Sequence, residues 1–268
     1  MSEISEALLA RVRGEVAARE AALPLAELQR EALARLVPCS GLAALRGDSV
    51  AVIAELDPAH APHNALVDHG EECGLSALAI APVPHAAHEP GRAVAHVRSR
   101  TQMPVLYLDL IVSSYQLWEA RASGADLVLL TAGALPCDAL VSLVERAASL
   151  GLTAVVEVRD GADLMLALRA AARAVLVRPP AHLNADAGRA ALCDLLPIIP
   201  ESVVRVAECG AAGRSDLITY ARKGADAVLL GRTLLTGDDP RATVTGLAAI
   251  GAHPSLFRRR MSDEALPR

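Results

Sequence analysis

The chain has 268 residues and a formal net charge of −5 at pH 7, and 53% of its residues are hydrophobic while only 2% are aromatic. This length favours a single domain with an aliphatic core, and the charge excludes the basic surface that nucleic-acid binding requires. No apolar run is long enough to span a bilayer and no apolar leader follows the first residues, so we expect a cytoplasmic protein without membrane partners.

About fifty residues precede the first predicted strand, and they contain two helical apolar patterns. The first pattern places four residues on one face: Ile4, Leu8, Val12 and Val16. The second begins at Pro24 and continues through Leu25, Leu28, Leu33 and Leu36. We therefore expect one domain with two extra helices in an N-terminal extension over 1–48, a barrel over 49–252 and a C-terminal tail over 253–268.

Eight short aliphatic runs follow, with helix-like spacing between them. Continuous apolar runs favour strands that are covered on both faces, as in a parallel sheet. Eight strands that alternate with helices predict a closed (β/α)8 barrel, known as a TIM barrel. The runs span residues 51–56, 77–80, 104–108, 126–130, 154–158, 174–177, 203–207 and 226–230.

The sequence GADLVLL at Gly124 returns as GADAVLL at Gly224, at the starts of predicted strands four and eight. Each glycine is predicted to end a helix in a left-handed conformation, which is cheap only for glycine. The second copy alone continues into Gly231 and Arg232. With Gly210 after strand seven, Gly231 predicts a phosphate site, because such barrels often bind phosphate on these two loops. The alternative is ordinary loop glycines beside a solvated arginine.

Ionisable residues lie near the ends of several predicted strands, where barrels of this class carry their active sites. The candidates for catalysis are Glu55, Asp57, Glu157 and Glu208. Arg178 is the candidate for binding a carboxylate, and Arg232 for binding phosphate.

Several segments together resemble the indole-3-glycerol phosphate synthase family over nearly the whole chain. They include VRGEVAAREAALPLAEL, VIAEL, QLWEARASGADLVLL, RVAECG, GADAVLLG and GDDPRATVTGLAAIGAHP. The resemblance implies a lyase of tryptophan biosynthesis that decarboxylates and cyclises carboxyphenylamino-deoxyribulose phosphate without cofactor or metal. It places the family's three active-site glutamates at Glu55, Glu157 and Glu208, and its phosphate loops at Gly210 and Gly231.

Other positions depart from the family's pattern. The family's two catalytic lysines are replaced by Asp57 and Leu108, and its Asn-x-Arg motif begins with Arg178 and ends with Pro180. General acid catalysis contributes typically about 10²- to 10⁴-fold, and an aspartate in place of a lysine predicts an acidic barrel mouth unless other groups compensate its charge. These departures lead us to expect a diverged lyase with altered chemistry that acts on a phosphorylated or carboxylated small molecule.

Three alternatives remain: a genuine indole-3-glycerol phosphate synthase, a non-catalytic barrel that binds a ligand or partner, and a metal-assisted enzyme. Two H-x-x-H pairs are weak candidates for a divalent ion and are more simply exposed loop histidines. They comprise His60, His63, His85 and His88. Five cysteines without a C-x-x-C pair favour reduced thiols. We expect no cofactor and make no prediction of the oligomeric state.

Overall fold

The computed structural model describes residues 4–57, 59–81, 91–237 and 239–256. Within these ranges, eight parallel strands close into a barrel in chain order. The prediction of a (β/α)8 barrel is confirmed. The strands are β1 (Ala51–Leu56), β2 (Ala77–Ile80), β3 (Val105–Tyr107), β4 (Leu127–Thr131), β5 (Thr153–Val158), β6 (Ala174–Val177), β7 (Val204–Cys209) and β8 (Ala227–Leu230).

Three α-helices precede the barrel, and one follows each strand in the described part of the chain. The first three are α1 (Glu6–Ala22), α2 (Leu25–Leu33) and α3 (Gly41–Leu45). The others are α4 (Asn64–His69), α5 (Arg92–Arg98), α6 (Ser114–Ser123), α7 (Cys137–Ser149), α8 (Gly161–Arg169), α9 (Ala185–Leu195), α10 (Arg214–Arg222) and α11 (Pro240–Gly251). None of the described helices is both long and apolar enough to cross a membrane.

The N-terminal extension differs from its prediction in two ways. Helix α3 was missed, because five residues are too few to show a helical period; its Leu45 is fully buried among inward-facing strand residues. The apolar pattern of the second helix is only partly buried. Leu28 lies in the core, whereas Leu33 and Leu36 are 70% and 90% exposed. Leu36 lies beyond the end of α2, so the helical period no longer applies to it.

The interior of the barrel is filled by alternate residues of the strands. Ile53, Val155 and Val206 all belong to this inner cluster, and each fully buried side chain of this kind contributes roughly 1.5–3 kcal/mol. Two positions further along the same strands stand Glu55, Glu157 and Glu208. Because side chains alternate along a strand, these glutamates continue the inward-facing rows to the C-terminal end of the barrel.

The repeated Gly-Ala-Asp sequence has a structural reason. Gly124 and Gly224 have φ of 91° and 101°, which confirms the predicted left-handed conformation. The aspartate of each copy accepts a backbone N–H from near the start of the preceding strand. Asp126 bonds to β3 and Asp226 bonds to β7, both at 2.9 Å. Each repeat therefore ends a helix and also ties two neighbouring strands together.

Candidate active site

Three glutamates meet at the C-terminal end of the barrel. Glu157 is 3% exposed and Glu55 is 9% exposed, while the side chain of Glu208 is 25% exposed. Strand β7 runs two residues further than predicted, so Glu208 belongs to the strand and pairs with Leu229 of β8. The strands thus bring together three of the four predicted catalytic carboxylates.

Arg178 lies between these three glutamates. Its Nη1 is 3.1 Å from Glu157, its Nε 3.2 Å from Glu208 and its Nη2 3.8 Å from Glu55. The residue follows β6, and its backbone N–H donates to the carbonyl of Val158 at the end of β5. The backbone of two strands therefore holds one guanidinium group at the centre of this C-terminal end of the barrel, which we call the mouth.

Two further arginines each pair with one glutamate. Arg159 lies 2.7 Å from Glu157, and Arg232 lies 2.9 Å from Glu55 through its Nε. Within the described part of the chain, three guanidinium groups thus face the three glutamates. The strongly acidic mouth expected without compensating groups does not form, because these arginines supply the compensating charge. Arg159 was not among the predicted site residues, although its position two residues after Glu157 places it in the same row.

Burial and charge act in opposite directions on Arg178 and Glu208. Burial disfavours the charged guanidinium, but the neighbouring carboxylates of Glu208, Glu157 and Glu55 outweigh it and raise the pKa of Arg178. Burial raises the pKa of Glu208, and Glu55 and Glu157 add to the rise while Arg178 opposes it. Arg178 is therefore a permanent cation, and Glu208 is a carboxyl group that holds its proton to higher pH than usual.

Asp57, the fourth predicted catalytic carboxylate, is engaged in its own loop. Its Oδ1 accepts the backbone N–H of Ala59 at 2.9 Å, and its backbone N–H donates to Nδ1 of His63. Since Nδ1 is the acceptor, Nε2 of His63 carries the proton and donates to the carbonyl of Leu235, 3.2 Å away. Burial lowers the pKa of His63. This histidine therefore ties the loop after β1 to the turn after β8 in its neutral form.

The histidines do not form a metal centre in the described residues. No group of three or more histidine, cysteine, aspartate or glutamate side chains there is arranged to hold an ion. His60 lies against His63 with ring centroids 4.6 Å apart. His85 and His88 lie outside the described residues.

The end of β3 carries a buried polar cluster. Leu108 is 7% exposed and belongs to the inner apolar cluster. The carboxylate of Asp109 accepts the N–H of Leu110 and the side-chain amide of Gln116, at 2.8 and 3.2 Å. Burial raises the pKa of Asp109. The side chain of Asp109 is thus held by its own loop and by helix α6.

Three glycines, Gly210, Gly213 and Gly231, lie where β7 and β8 pass into the segments that follow them. Gly231 has an ordinary φ of −65°, and an added Cβ would meet only the carbonyl of Cys209, at 4.0 Å. The polypeptide itself therefore does not require glycine at this position. Gly213 has a φ of 43° and precedes α10, and a Cβ on Gly210 would lie 3.3 Å from Asp216.

The fold and the site together define a (β/α)8 barrel whose carboxylates and guanidinium groups converge where enzymes of this fold carry their active sites. A family model described as indole-3-glycerol phosphate synthase matches residues 5–247. The chain belongs to this family.

Two relatives show how extensive the similarity is. The chain is 41% identical over 263 residues to an indole-3-glycerol phosphate synthase of Beutenbergia cavernae, with 94% of this chain and 97% of the relative covered. It is 43% identical over 258 residues to indole-3-glycerol phosphate synthase 1 of Streptomyces coelicolor, with 93% and 96% covered. Our expectation of a diverged lyase with altered chemistry is contradicted by these relatives, which support the genuine-synthase alternative instead.

Solved structures support the fold alone. The 3-hexulose-6-phosphate synthase of Salmonella typhimurium superposes with a TM-score of 0.62 at 18% identity, and covers 75% of this chain and 98% of its own. At this level of identity the likeness is one of architecture.

Proposed function

We propose that this chain forms indole-3-glycerol phosphate from carboxyphenylamino-deoxyribulose phosphate, with arginines supplying the positive charge at the mouth. Family membership supports the reaction. The observation that carries the proposal is Arg178, which lies 3.1, 3.2 and 3.8 Å from the three glutamates that the resemblance assigns to the family's active site. By resemblance, the family's two lysine positions correspond to Asp57 and Leu108, and neither residue can supply a positive charge.

The reaction sets three requirements for the residues of the mouth. A carbon–carbon bond forms between the ring carbon that bears the carboxylate and the ketone carbon, whose oxygen takes up a proton. Carbon dioxide then leaves and its bonding electrons return to the ring. The new hydroxyl group takes up a proton and departs as water, while the CH2 carbon beside the nitrogen loses a proton and the carbon–carbon double bond of the indole forms. The site must therefore hold two anionic groups, deliver protons and accept one. A guanidinium stays charged at neutral pH and cannot deliver a proton, so a carboxyl group must do so.

Glu208 is the carboxyl group best suited to deliver that proton. Glu157 and Glu55 each have two arginine partners, whereas Glu208 pairs with Arg178 alone among the described residues. Its raised pKa favours the protonated form. Its side chain is also the most exposed of the three, at 25%, so it can reach a substrate in the mouth.

The anionic ends of the substrate have separate partners in this proposal. Arg232 is 47% exposed and can turn from Glu55 to the carboxylate of the substrate. The loops at Gly210 and Gly231 present backbone N–H groups to the phosphate. Glu157, held by two arginines, accepts the proton that the CH2 carbon beside the nitrogen loses.

A turnover assay with a matched variant tests the proposal. Purified protein is incubated with carboxyphenylamino-deoxyribulose phosphate, and indole-3-glycerol phosphate and carbon dioxide are measured together. We expect both products in equal amounts, and a loss of about 10²- to 10⁴-fold in kcat for Glu208→Gln. The control is Glu145→Gln on the exposed face of α7, which should keep wild-type turnover. Folded wild-type protein that yields neither product would contradict the proposed function.

A further inference from the structure

A cavity of about 290 Å³ lies at the opposite end of the barrel from the candidate active site. It lies where α5 and α6 end and β4 begins. Arg35, Arg98 and Arg121 line it, and Asp126 is the acidic residue among its lining residues in the described part of the chain. Three guanidinium groups against one carboxylate give the cavity a positive charge. We call it the Arg35–Arg121 pocket.

Asp126 and Arg98 form an ion pair with each other, and both also form hydrogen bonds with nearby backbone groups. Oδ1 of Asp126 accepts the backbone N–H of Cys39 at 2.8 Å, and Oδ2 accepts Val105 N–H and Nη2 of Arg98, at 2.9 and 2.6 Å. Arg98 also donates to backbone carbonyls. The hydrogen bonds of this pair are thus accounted for without any ligand.

The other two arginines have only backbone carbonyls as acceptors among the described residues. Arg121 donates to the carbonyl of Arg35 at 3.1 Å, and Arg35 donates to the carbonyl of Ala122 at 2.9 Å. Arg121 is only 6% exposed. Burial lowers its pKa, Asp126 opposes the change and Arg35 adds to it. A buried guanidinium without a carboxylate partner is costly, so the fold gains stability if an anion pairs with it.

We propose that the Arg35–Arg121 pocket binds a compact oxyanion, such as phosphate or a phosphate ester. The planar forks of two arginines match the oxygens of such a group. The volume lies near the lower end of the range for ligand pockets, roughly 300–1,000 Å³, which suits a small ligand. This site does not depend on the proposed reaction, because it shares no residue with the mouth of the barrel.

The single tryptophan of the chain provides a local probe of this pocket. Trp118 lies on α6, three residues before Arg121. Pyrophosphate is added to wild-type protein at constant ionic strength, with sodium chloride as the ionic control, while tryptophan fluorescence is recorded. We expect a saturable change that sodium chloride does not produce.

Substitutions then assign the response to the pocket. Arg35→Ala and Arg121→Gln should each raise the Kd for pyrophosphate at least about tenfold, the effect of one charge-assisted hydrogen bond. Neither variant should change kcat or KM by more than about twofold. Arg222→Ala removes an exposed arginine from the end of α10 and serves as the control with wild-type affinity.

Several outcomes would overturn the proposal. They are the absence of a saturable response, wild-type affinity in Arg35→Ala, or a response that is lost in Arg232→Ala and kept in Arg35→Ala. The last result would assign the anion to the mouth of the barrel. If Arg121→Gln fails to fold, Arg35→Ala decides the question, because Arg35 is exposed and its loss leaves the core unchanged.

Discussion

Replacement of Arg178 by methionine is the perturbation whose effect follows most directly from the geometry of the mouth. Glu157 keeps Arg159 at 2.7 Å and Glu55 keeps Arg232 at 2.9 Å, so Glu208 is the glutamate left without a cation. Removing one partner of a buried ion pair costs roughly 3–5 kcal/mol. The side chains of Arg178 and Glu208 are 22% and 25% exposed, so water screens part of the loss. We expect about 2–3 kcal/mol.

The loss should depend on pH with a definite sign. Burial already raises the pKa of Glu208, and Arg178 opposes the rise, so the variant raises it further. A carboxyl group whose folded pKa exceeds its unfolded value is stabilising at low pH, and this contribution is lost as the pH rises through the folded pKa. The difference in stability between wild type and variant should therefore be smaller near about pH 5 than near about pH 8.

Thermal unfolding at both pH values measures this effect. A decrease of roughly 4–12 °C in melting temperature corresponds to the expected loss. The double variant Arg178→Met with Glu208→Gln should recover most of the stability, because no unpaired carboxylate remains. A melting temperature for Arg178→Met equal to that of wild type at both pH values would refute the claim that Arg178 neutralises Glu208.

The remaining predictions concern the substrate, the proton and the backbone. Arg232→Ala should raise KM for the phosphorylated substrate about tenfold, with kcat within about threefold, as steady-state kinetics will show. In wild type, kcat should fall as pH rises through the raised pKa of Glu208. The kcat of Glu208→Gln, measured over the same pH range, should not show this decrease. Gly224→Ala should cost about 1–2 kcal/mol by denaturant unfolding, because its φ is 101°. Gly14→Ala, in an open position on α1, should instead stabilise by about 0.5–1 kcal/mol.

The barrel could be predicted because its strands are buried on both sides. Continuous aliphatic runs therefore marked them, and β1, β2 and β6 were predicted to the residue. The prediction for β7 stopped two residues short, since Glu208 interrupts the aliphatic run although it remains in the strand. The five-residue helix α3 carries no recognisable period, and its place under the barrel comes from the fit of Leu45 between strands.

The sequence indicated most of the charged residues at the mouth, but it did not indicate which of them form ion pairs with one another. The ends of the predicted strands indicated Glu55, Glu157 and Glu208, and the structure brings these three side chains together around Arg178. Arg178 and Arg232 were assigned to ligands, however, and their pairing with the glutamates was not foreseen. Such pairing depends on which loops come together around the closed barrel, which the order of residues along one chain does not reveal. For this reason the groups that compensate the carboxylates could not be named from the sequence.

Turnover of carboxyphenylamino-deoxyribulose phosphate by the wild-type protein, compared with Arg178→Met, tests the central claim most directly. That claim is that the guanidinium groups at the mouth support the family's reaction. The account predicts formation of indole-3-glycerol phosphate by the wild type and a loss of at least about a hundredfold in kcat for the variant. Equal kcat values for the two proteins, or no product from the folded wild type, would contradict it.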